Sequence, residues 1–302
     1  MKPLRLAVVG FGRVGEVCAE LISQSRDLSL AAIVRRAVSA AGKLPEPLRS
    51  VPVTTHVGQA GDVDAALLCV PTNVVEEVAG QILQHGIPIV DCVTLHGEAL
   101  YTHKQAIHRV ALHHRAAAIV GAGWDPGALS VFRSWMALLT PGGMTETRRH
   151  TGISLRHTTM AKNVTGVKDA LCAEVRAPDG RLQRYVYVEL EKKADADSIT
   201  QAIRADPLFL GEDTQVFPVE SLAELEEEGR GVVLDRRGPP GRFGHQHVLL
   251  EARCDDRVLT AQVMLAAARA LPQLKPGSYV LPEVPLSALW GERAEKAQRE
   301  WL

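Results

Sequence analysis

This sequence predicts a doubly wound α/β fold built on a parallel sheet, joined to a second, α+β domain. Three observations predict it. An apolar run of strand length, Leu4–Val9, leads straight into Gly10-Phe11-Gly12-Arg13-Val14-Gly15. Strand and helix patterns then alternate as far as Val120, as a parallel sheet covered by helices requires. Between Thr145 and Glu251 that alternation gives way to strand signals with occasional helices.

The glycine loop makes the first domain Rossmann-type, because it sits where a strand turns into a helix. Gly10 permits the tight turn, Gly12 lets the backbone approach a pyrophosphate, and Gly15 lets the helix pack on the strand. Arg13 and Val14 open that helix, whose N–H groups and positive dipole end favour phosphate. The second strand, Leu28–Val34, runs into Arg35 and Arg36. An NAD site carries an acid there, to bond the ribose 2′-hydroxyl. Two guanidinium groups instead attract a 2′-phosphate and stack on adenine, so the expected cofactor is NADP.

Further strands are expected at residues 51–54, 65–70, 87–91 and 117–120, and helices at 14–23, 74–85 and 104–114. Ligands in such sheets bind at the carboxyl ends of the strands. Cys69, Pro71 and Thr72 should therefore form another lip of the cofactor crevice, with Asp91 on the same edge. Trp124-Asp125-Pro126-Gly127 reads as a turn, followed by an apolar helix over 128–139 that Pro141-Gly142-Gly143 ends. Beyond it, residues 184–191 and 247–252 have strand patterns, while 197–205 and 219–228 look helical. The second domain should thus hold an antiparallel sheet. A strongly apolar helix at 258–270 is terminated by Lys275-Pro276-Gly277. The expected division is a dinucleotide-binding domain at 1–123, completed by 256–302, and a substrate-binding and dimerisation domain at 124–255.

Composition narrows the function classes. The 302 residues carry 34 Lys plus Arg against 35 Asp plus Glu, a net charge of -1. That balance argues against nucleic-acid or membrane-surface partners, which call for a basic excess. Cys18, Cys69, Cys92, Cys172 and Cys254 are dispersed and read as buried thiols of a reducing compartment. With no leader and no long apolar span, the chain is expected to be cytoplasmic. His245-Gln246-His247 and His113-His114 lack carboxylate or cysteine ligands at metal spacing, so no metal is expected. The run Glu224 to Glu228 reads as a solvated helix face.

From Gly121-Ala122-Gly123-Trp124-Asp125-Pro126-Gly127 onward the chain resembles the meso-diaminopimelate dehydrogenase family. The resemblance runs nearly end to end. It includes the arginine pair, Leu67-Leu68-Cys69-Val70-Pro71-Thr72 and Gly166-Val167-Lys168-Asp169-Ala170-Leu171. It continues through Tyr187-Val188-Glu189-Leu190, Leu259-Thr260-Ala261-Gln262-Val263-Met264 and Lys275-Pro276-Gly277-Ser278-Tyr279. It implies NADP-dependent oxidative deamination at the D-configured carbon of meso-diaminopimelate, with ammonia released. It also implies a homodimer formed through the middle domain, with substrate between the domains. In that chemistry the amine loses its charge near the hydride step, so a carboxylate beside it is useful. Asp125, next to Trp124, fits that role. The competing reading is a turn-forming Asp before proline, and the resemblance favours function.

The substrate positions depart from the family. Thr94 stands where the family has an aspartate on the D-centre amine, and Arg149 where it has an aromatic residue. Backbone N–H groups around Leu155 and Arg156 are expected to hold an α-carboxylate, and His157 matches a family histidine. Arg184 survives from the distal carboxylate site. Glu174 stands near a family threonine, Gly244 replaces a histidine, and Asp255 or Asp256 replaces an asparagine. Added carboxylates disfavour a second substrate carboxylate, although Arg149 and Arg156 offer compensation. Three readings stay open: the diaminopimelate activity, the same chemistry on another D-amino or diamino acid with a basic or neutral tail, and a non-catalytic NADP-binding sensor. Asp125 and Arg184 favour an enzyme over a sensor.

Overall fold

The computed structural model describes residues 2–36, 44–150, 155–176, 181–192, 194–222, 231–239 and 246–301. In chain order the first elements are β1 (Leu4–Val9), α1 (Arg13–Ser23), β2 (Leu28–Val34), β3 (Val53–Thr54), β4 (Ala65–Leu68) and α2 (Val75–Leu83). They are followed by β5 (Ile89–Asp91), α3 (Gly97–His113), β6 (Ala117–Ile119) and α4 (Leu129–Leu139). Next come β7 (Met144–His150), α5 (Leu155–Lys162), β8 (Val167–Arg176), β9 (Leu182–Leu190), α6 (Ala196–Ala205) and β10 (Asp213–Val219). The chain ends with β11 (Gly231–Arg237), β12 (His247–Arg253), α7 (Asp256–Ala270), β13 (Gly277–Tyr279), α8 (Leu286–Leu289) and α9 (Ala294–Trp301). Two compact units result, Met1–Trp135 with Asp256–Leu302, and Met136–Asp255. The division falls inside α4, where the sequence suggests 123/124. Trp124–Ala128 and the start of α4 belong with the first unit, and Trp124 N–H donates to Thr260 Oγ1 of α7 at 3.1 Å.

In the first unit seven parallel strands lie in the order β13-β6-β5-β4-β1-β2-β3. Successive residues of each strand bury on opposite faces, as a pleated strand between two helical layers requires. Leu6, Val8, Ile33, Leu67, Val90 and Ile119 share one core with Cys18, Ala19 and Ile22 of α1 and Ala261, Met264, Leu265 and Ala268 of α7. Ala7, Val9, Val34, Ala66, Leu68 and Ala118 share the other with Val75, Ala79 and Ile82 of α2 and Ile107 and Ala111 of α3. The C-terminal segment joins this unit because α7 covers the same sheet face as α1.

Three local features differ from expectation. Helix α3 begins at Gly97 rather than 104; the stretch 97–102 is mostly exposed and mixes polar with apolar residues, so it carries no clear apolar period. Gly277, read only as a terminator, has φ +132° and starts β13, its N–H donating to Ala116 O at 3.0 Å. The Trp124–Ala128 turn is a wide helical turn in which Asp125 keeps extended angles and the Asp125–Pro126 bond is cis.

The second unit holds two three-stranded sheets rather than one antiparallel sheet. In β12-β11-β7 both pairings are antiparallel. In β10-β9-β8 the β8–β9 pair is antiparallel, but β9 and β10 run parallel. Helix α6 supplies the crossover that parallel neighbours need. Val186, Val188, Cys172, Ala161, Ile199, Ile203 and Phe209 form its core. Of the helix expected at 219–228, Val219 ends β10 and residues 223–230 lie outside the described residues. Among the described residues no helix is long and apolar enough to cross a membrane, and no group of His, Cys, Asp and Glu is arranged for a metal. His247 instead pairs with Asp235 at 2.9 Å and His113 packs edge-on against His114, while His245 lies outside the described residues.

One ion pair pins α7 in place. Arg269 donates to both carboxylate oxygens of Asp27, just before β2, at 2.6 and 2.9 Å. The Arg269 hydrogen bond outweighs partial burial and, with Ser25, holds the Asp27 carboxyl at about 2, below its ordinary 3.8. A depressed carboxyl stabilises the fold above its unfolded pKa, and that contribution is lost as pH falls through about 2. Arg269→Met should therefore cost about 1–2 kcal/mol in urea unfolding at neutral pH. The gap between variant and wild type should close as the medium is acidified from about pH 4 toward about pH 2. A gap unchanged by acid would mean that the arginine acts through packing alone.

Candidate active site

A cleft of about 1190 Å³ opens at the carboxyl ends of β1, β2, β4 and β5. The structure brings together there most of the residues expected to hold a dinucleotide: Gly10, Gly12, Arg13, Val14, Arg35, Arg36, Cys69 and Pro71. Gly10 has φ +91°, and a Cβ on it would stand 2.6 Å from the Cys69 carbonyl oxygen. Around Gly12 an added Cβ would meet nothing within 4 Å, so this is the side from which a pyrophosphate can approach. Gly12 caps α1 with no side-chain hydrogen bond, leaving the first-turn N–H groups for an anion. Over the rim lies the Arg35 guanidinium, 4.4 Å from the centroid of the Phe11 ring, an arrangement that orients its plane. These features fit a nicotinamide dinucleotide.

Three expected cofactor residues do not line the cleft. Gly15 is the packing contact of α1 that its place in the motif calls for, since a Cβ there would sit 2.1 Å from the Gly10 carbonyl oxygen. Thr72 starts an exposed 3-10 turn, Thr72–Val74. Asp91 is fully buried, and its Oδ1 accepts the N–H groups of Gly121 at 2.8 Å and Val93 at 3.2 Å. Its Oδ2 lies 2.9 Å from Nε2 of buried His103, whose Nδ1 is 3.2 Å from Glu76 Oε1. Burial works against the His103 imidazolium, but Asp91 and then Glu76 outweigh it and raise its pKa above 6.5. Phe11, His56, Asn73 and Cys92 line the cleft without having been singled out. Phe11 lay in plain view inside the glycine motif, whereas the others come from separate loops that only the sheet order brings together.

Asp125 lies on the loop leaving β6, its side chain only 7% exposed. Arg133, two turns along in α4, donates to Asp125 Oδ1 at 2.8 Å, and His96 Nδ1 stands 3.9 Å from the same oxygen. No sequence signal pointed to Arg133. Trp124 is buried, and Thr94 is exposed on the loop between β5 and α3. Thr94, His96 and Asp125 thus share the carboxyl edge of the sheet that also carries the cleft.

In the second unit Arg184 is buried, and its Nε and Nη2 both donate to Glu212, the latter at 3.1 Å. The Arg184 hydrogen bond, against an opposing burial effect, holds the Glu212 carboxyl below its ordinary value. His157 Nε2 lies 3.7 Å from Glu212 Oε1, and its ring meets Phe209 edge-on. Arg184 was expected to hold a substrate carboxylate, but a carboxylate of its own chain occupies that fork. Burial pushes the neighbouring Cys172 thiol up to about 12. Glu174 is the register partner of Arg184, and Arg149 that of Val232. Leu155 and Arg156 are the first residues of α5. The side chains of Arg149, Leu155, Arg156 and Glu174, and all of Gly244, lie outside the described residues. Asp255 precedes α7, and Asp256 is an exposed acid in its first turn, where the helix dipole favours it.

Residues 4–91 match a family model described as an oxidoreductase family with an NAD-binding Rossmann fold. Across its whole length the chain is similar to the meso-diaminopimelate D-dehydrogenase of Bacteroides fragilis, 35% identical over 296 residues and covering 98% of each. The enzyme of the same name from Corynebacterium glutamicum is 28% identical over 313 residues, with 94% of each covered. Among solved structures the fold is shared with the C. glutamicum DAP dehydrogenase in complex with DAP, at TM-score 0.68, 24% identity and 100% coverage of both chains. An engineered D-amino acid dehydrogenase bound to NADP+ aligns over 100% of both chains at TM-score 0.68 and 23% identity.

Proposed function

The chain belongs to the meso-diaminopimelate D-dehydrogenase family and is an amino-acid dehydrogenase with a nicotinamide cofactor, and from this we propose that it uses NADP to deaminate a D-configured amino acid. The observation that carries the reading is the Asp125 carboxylate, held by Arg133 on the same sheet edge as the glycine cleft. A nicotinamide bound in the cleft supplies the hydride acceptor. Asp125 then orients the substrate ammonium and takes up its charge as the proton leaves. The Arg133 contact fixes this carboxylate in place. His96, half exposed and 3.9 Å away, offers the proton a path toward solvent. Hydrolysis of the resulting imine releases ammonia and a 2-oxo acid.

Two further choices follow. The Arg35–Phe11 stack beside Arg36, where an NAD site would carry an acid, supports NADP. The Arg184–Glu212 pair supports a substrate tail other than carboxylate, because a second carboxylate would compete with Glu212 for the same guanidinium. We therefore rank a D-amino acid with a basic or neutral tail beside meso-diaminopimelate itself. Helix α4 supports a homodimer. Phe132, Trp135, Leu138 and Leu139 stand 38, 53, 71 and 65% exposed along one helical stripe.

Titration of both cofactors tests the first choice. Wild type should prefer NADP, and Arg35→Ala/Arg36→Ala should lose about 1.5–3 kcal/mol of that preference for each charged contact removed. Equal wild-type affinities would end it. For the chemistry, a panel of D-amino and diamino acids is scored by NADPH formation. Asp125→Asn should bind NADP normally yet turn over about 100-fold more slowly or worse. Near-native turnover returns Asp125 to a turn-forming role, and cofactor binding with no turnover of any panel member favours a sensor. Efficient meso-diaminopimelate turnover would remove the case against a second carboxylate. Light scattering should give twice the chain mass, falling to the monomer value in Leu138→Glu, and a monomeric wild type contradicts the dimer.

A further inference from the structure

We propose that His103, held as an imidazolium between Asp91 and Glu76, is a positioning residue that fixes the two loops carrying His96 and Asp125. This rests on the reading in which Asp125 meets the substrate amine, although the loop order itself can be measured without turnover.

Asp91 laces those loops together. Its Oδ1 takes the Val93 N–H on the way to His96 and the Gly121 N–H on the way to Asp125, and its own carbonyl takes the Ala122 N–H at 2.7 Å. Gly121 has φ +62°, and a Cβ there would press on Leu100 at 3.1 Å and Pro126 at 3.2 Å, so the loop has little room to settle elsewhere. A fully buried carboxylate needs a counter-charge. His103 Nε2 at 2.9 Å supplies it.

The ring geometry sets the protonation state. A neutral imidazole donates from one nitrogen only. Here each nitrogen faces a carboxylate oxygen, Asp91 on one side and Glu76 on the other, and both contacts are satisfied only by the imidazolium. Among the described residues, Asp91 from β5 and Glu76 from α2 are the charged groups that meet the ring. Of the other strands on α3, β6 is Ala117–Ile119, and β13 brings Ser278 and Tyr279, whose hydroxyls donate to Lys104 O and Lys275 O. Burial opposes the charge and the two carboxylates sustain it. When the proton leaves, a lone pair faces a carboxylate and Asp91 loses its counter-charge in a dry site. The Asp91 anchor then weakens, and Asp125 and His96 move with their loops. The cofactor loop on β1 and α1 has no part in this network.

Glu76 is 60% exposed, so its substitution probes the network without opening the core. The test uses the full chain with Glu76→Gln and His103→Gln. In Glu76→Gln, the His103 titration followed by NMR should fall by about one pH unit. The alkaline limb of kcat should fall with it, while NADP affinity and melting temperature stay as in wild type. His103→Gln should lower kcat about tenfold or more, with NADP affinity unchanged and faster amide exchange at Gly121 and Ala122. If His103→Gln does not fold, Glu76→Gln carries the test alone. A His103 titration that moves while the kcat profile and the Gly121 exchange stay put would overturn the proposal. If wild type turns over no amino acid, the functional reading fails separately. Exchange then decides: Gly121 opening at lower pH in Glu76→Gln supports the positioning role, and unchanged exchange refutes it.

Discussion

Helix α1 approaches β1 so closely that a single methyl group at Gly15 would stand 2.1 Å from the Gly10 carbonyl oxygen. The remainder of the first unit follows from this contact. It places the N-terminus of α1 directly above the end of β1, where its unsatisfied N–H groups face outward. It also sets the height of the helical layer, so that small residues of α1 and α7 (Cys18, Ala19, Ala261, Ala268) can share one core with β1, β2 and β4. Gly10 is constrained from the other side by the carbonyl of Cys69, just after β4. The glycine end of the cleft is therefore framed by backbone, which suits a site for a phosphate group.

A second constraint is electrostatic. Asp91, Asp125 and Arg184 are buried or nearly so, and each has an opposite charge against it: His103, Arg133 and Glu212. Without those partners a desolvated charge would be strongly destabilising. The pairs also decide which groups face a ligand. Asp91 is spent on backbone N–H groups and His103, so it anchors loops and does not line the cleft. Arg184 is forked onto Glu212, a carboxylate of its own chain. Asp125 is set by Arg133, on a loop whose extended Asp125 conformation interrupts the wide turn.

Local sequence alone determined the parts whose signal lies in neighbouring residues. Leu4–Val9 and Leu28–Val34 are strands with the expected ends, because each is a mostly apolar run stopped by a turn or by charge. The glycine spacing located the cleft, and the arginine pair its rim. Resemblance over the full chain identified the family before any contact was known. Only the tertiary structure decided the rest. The first turns of α3 are mostly exposed and stay helical because later turns bury Ile107 and Ala111. β13 has three residues, too few for a pattern, and exists because β6 offers it an edge. Arg133, Glu212 and Glu76 carry no local mark, since a charge on a surface helix and a charge closing a buried pair are the same residue type. Which one it becomes depends on where the backbone carries a partner eight, twenty-eight or twenty-seven residues away. That path is a property of packing, not of adjacent residues.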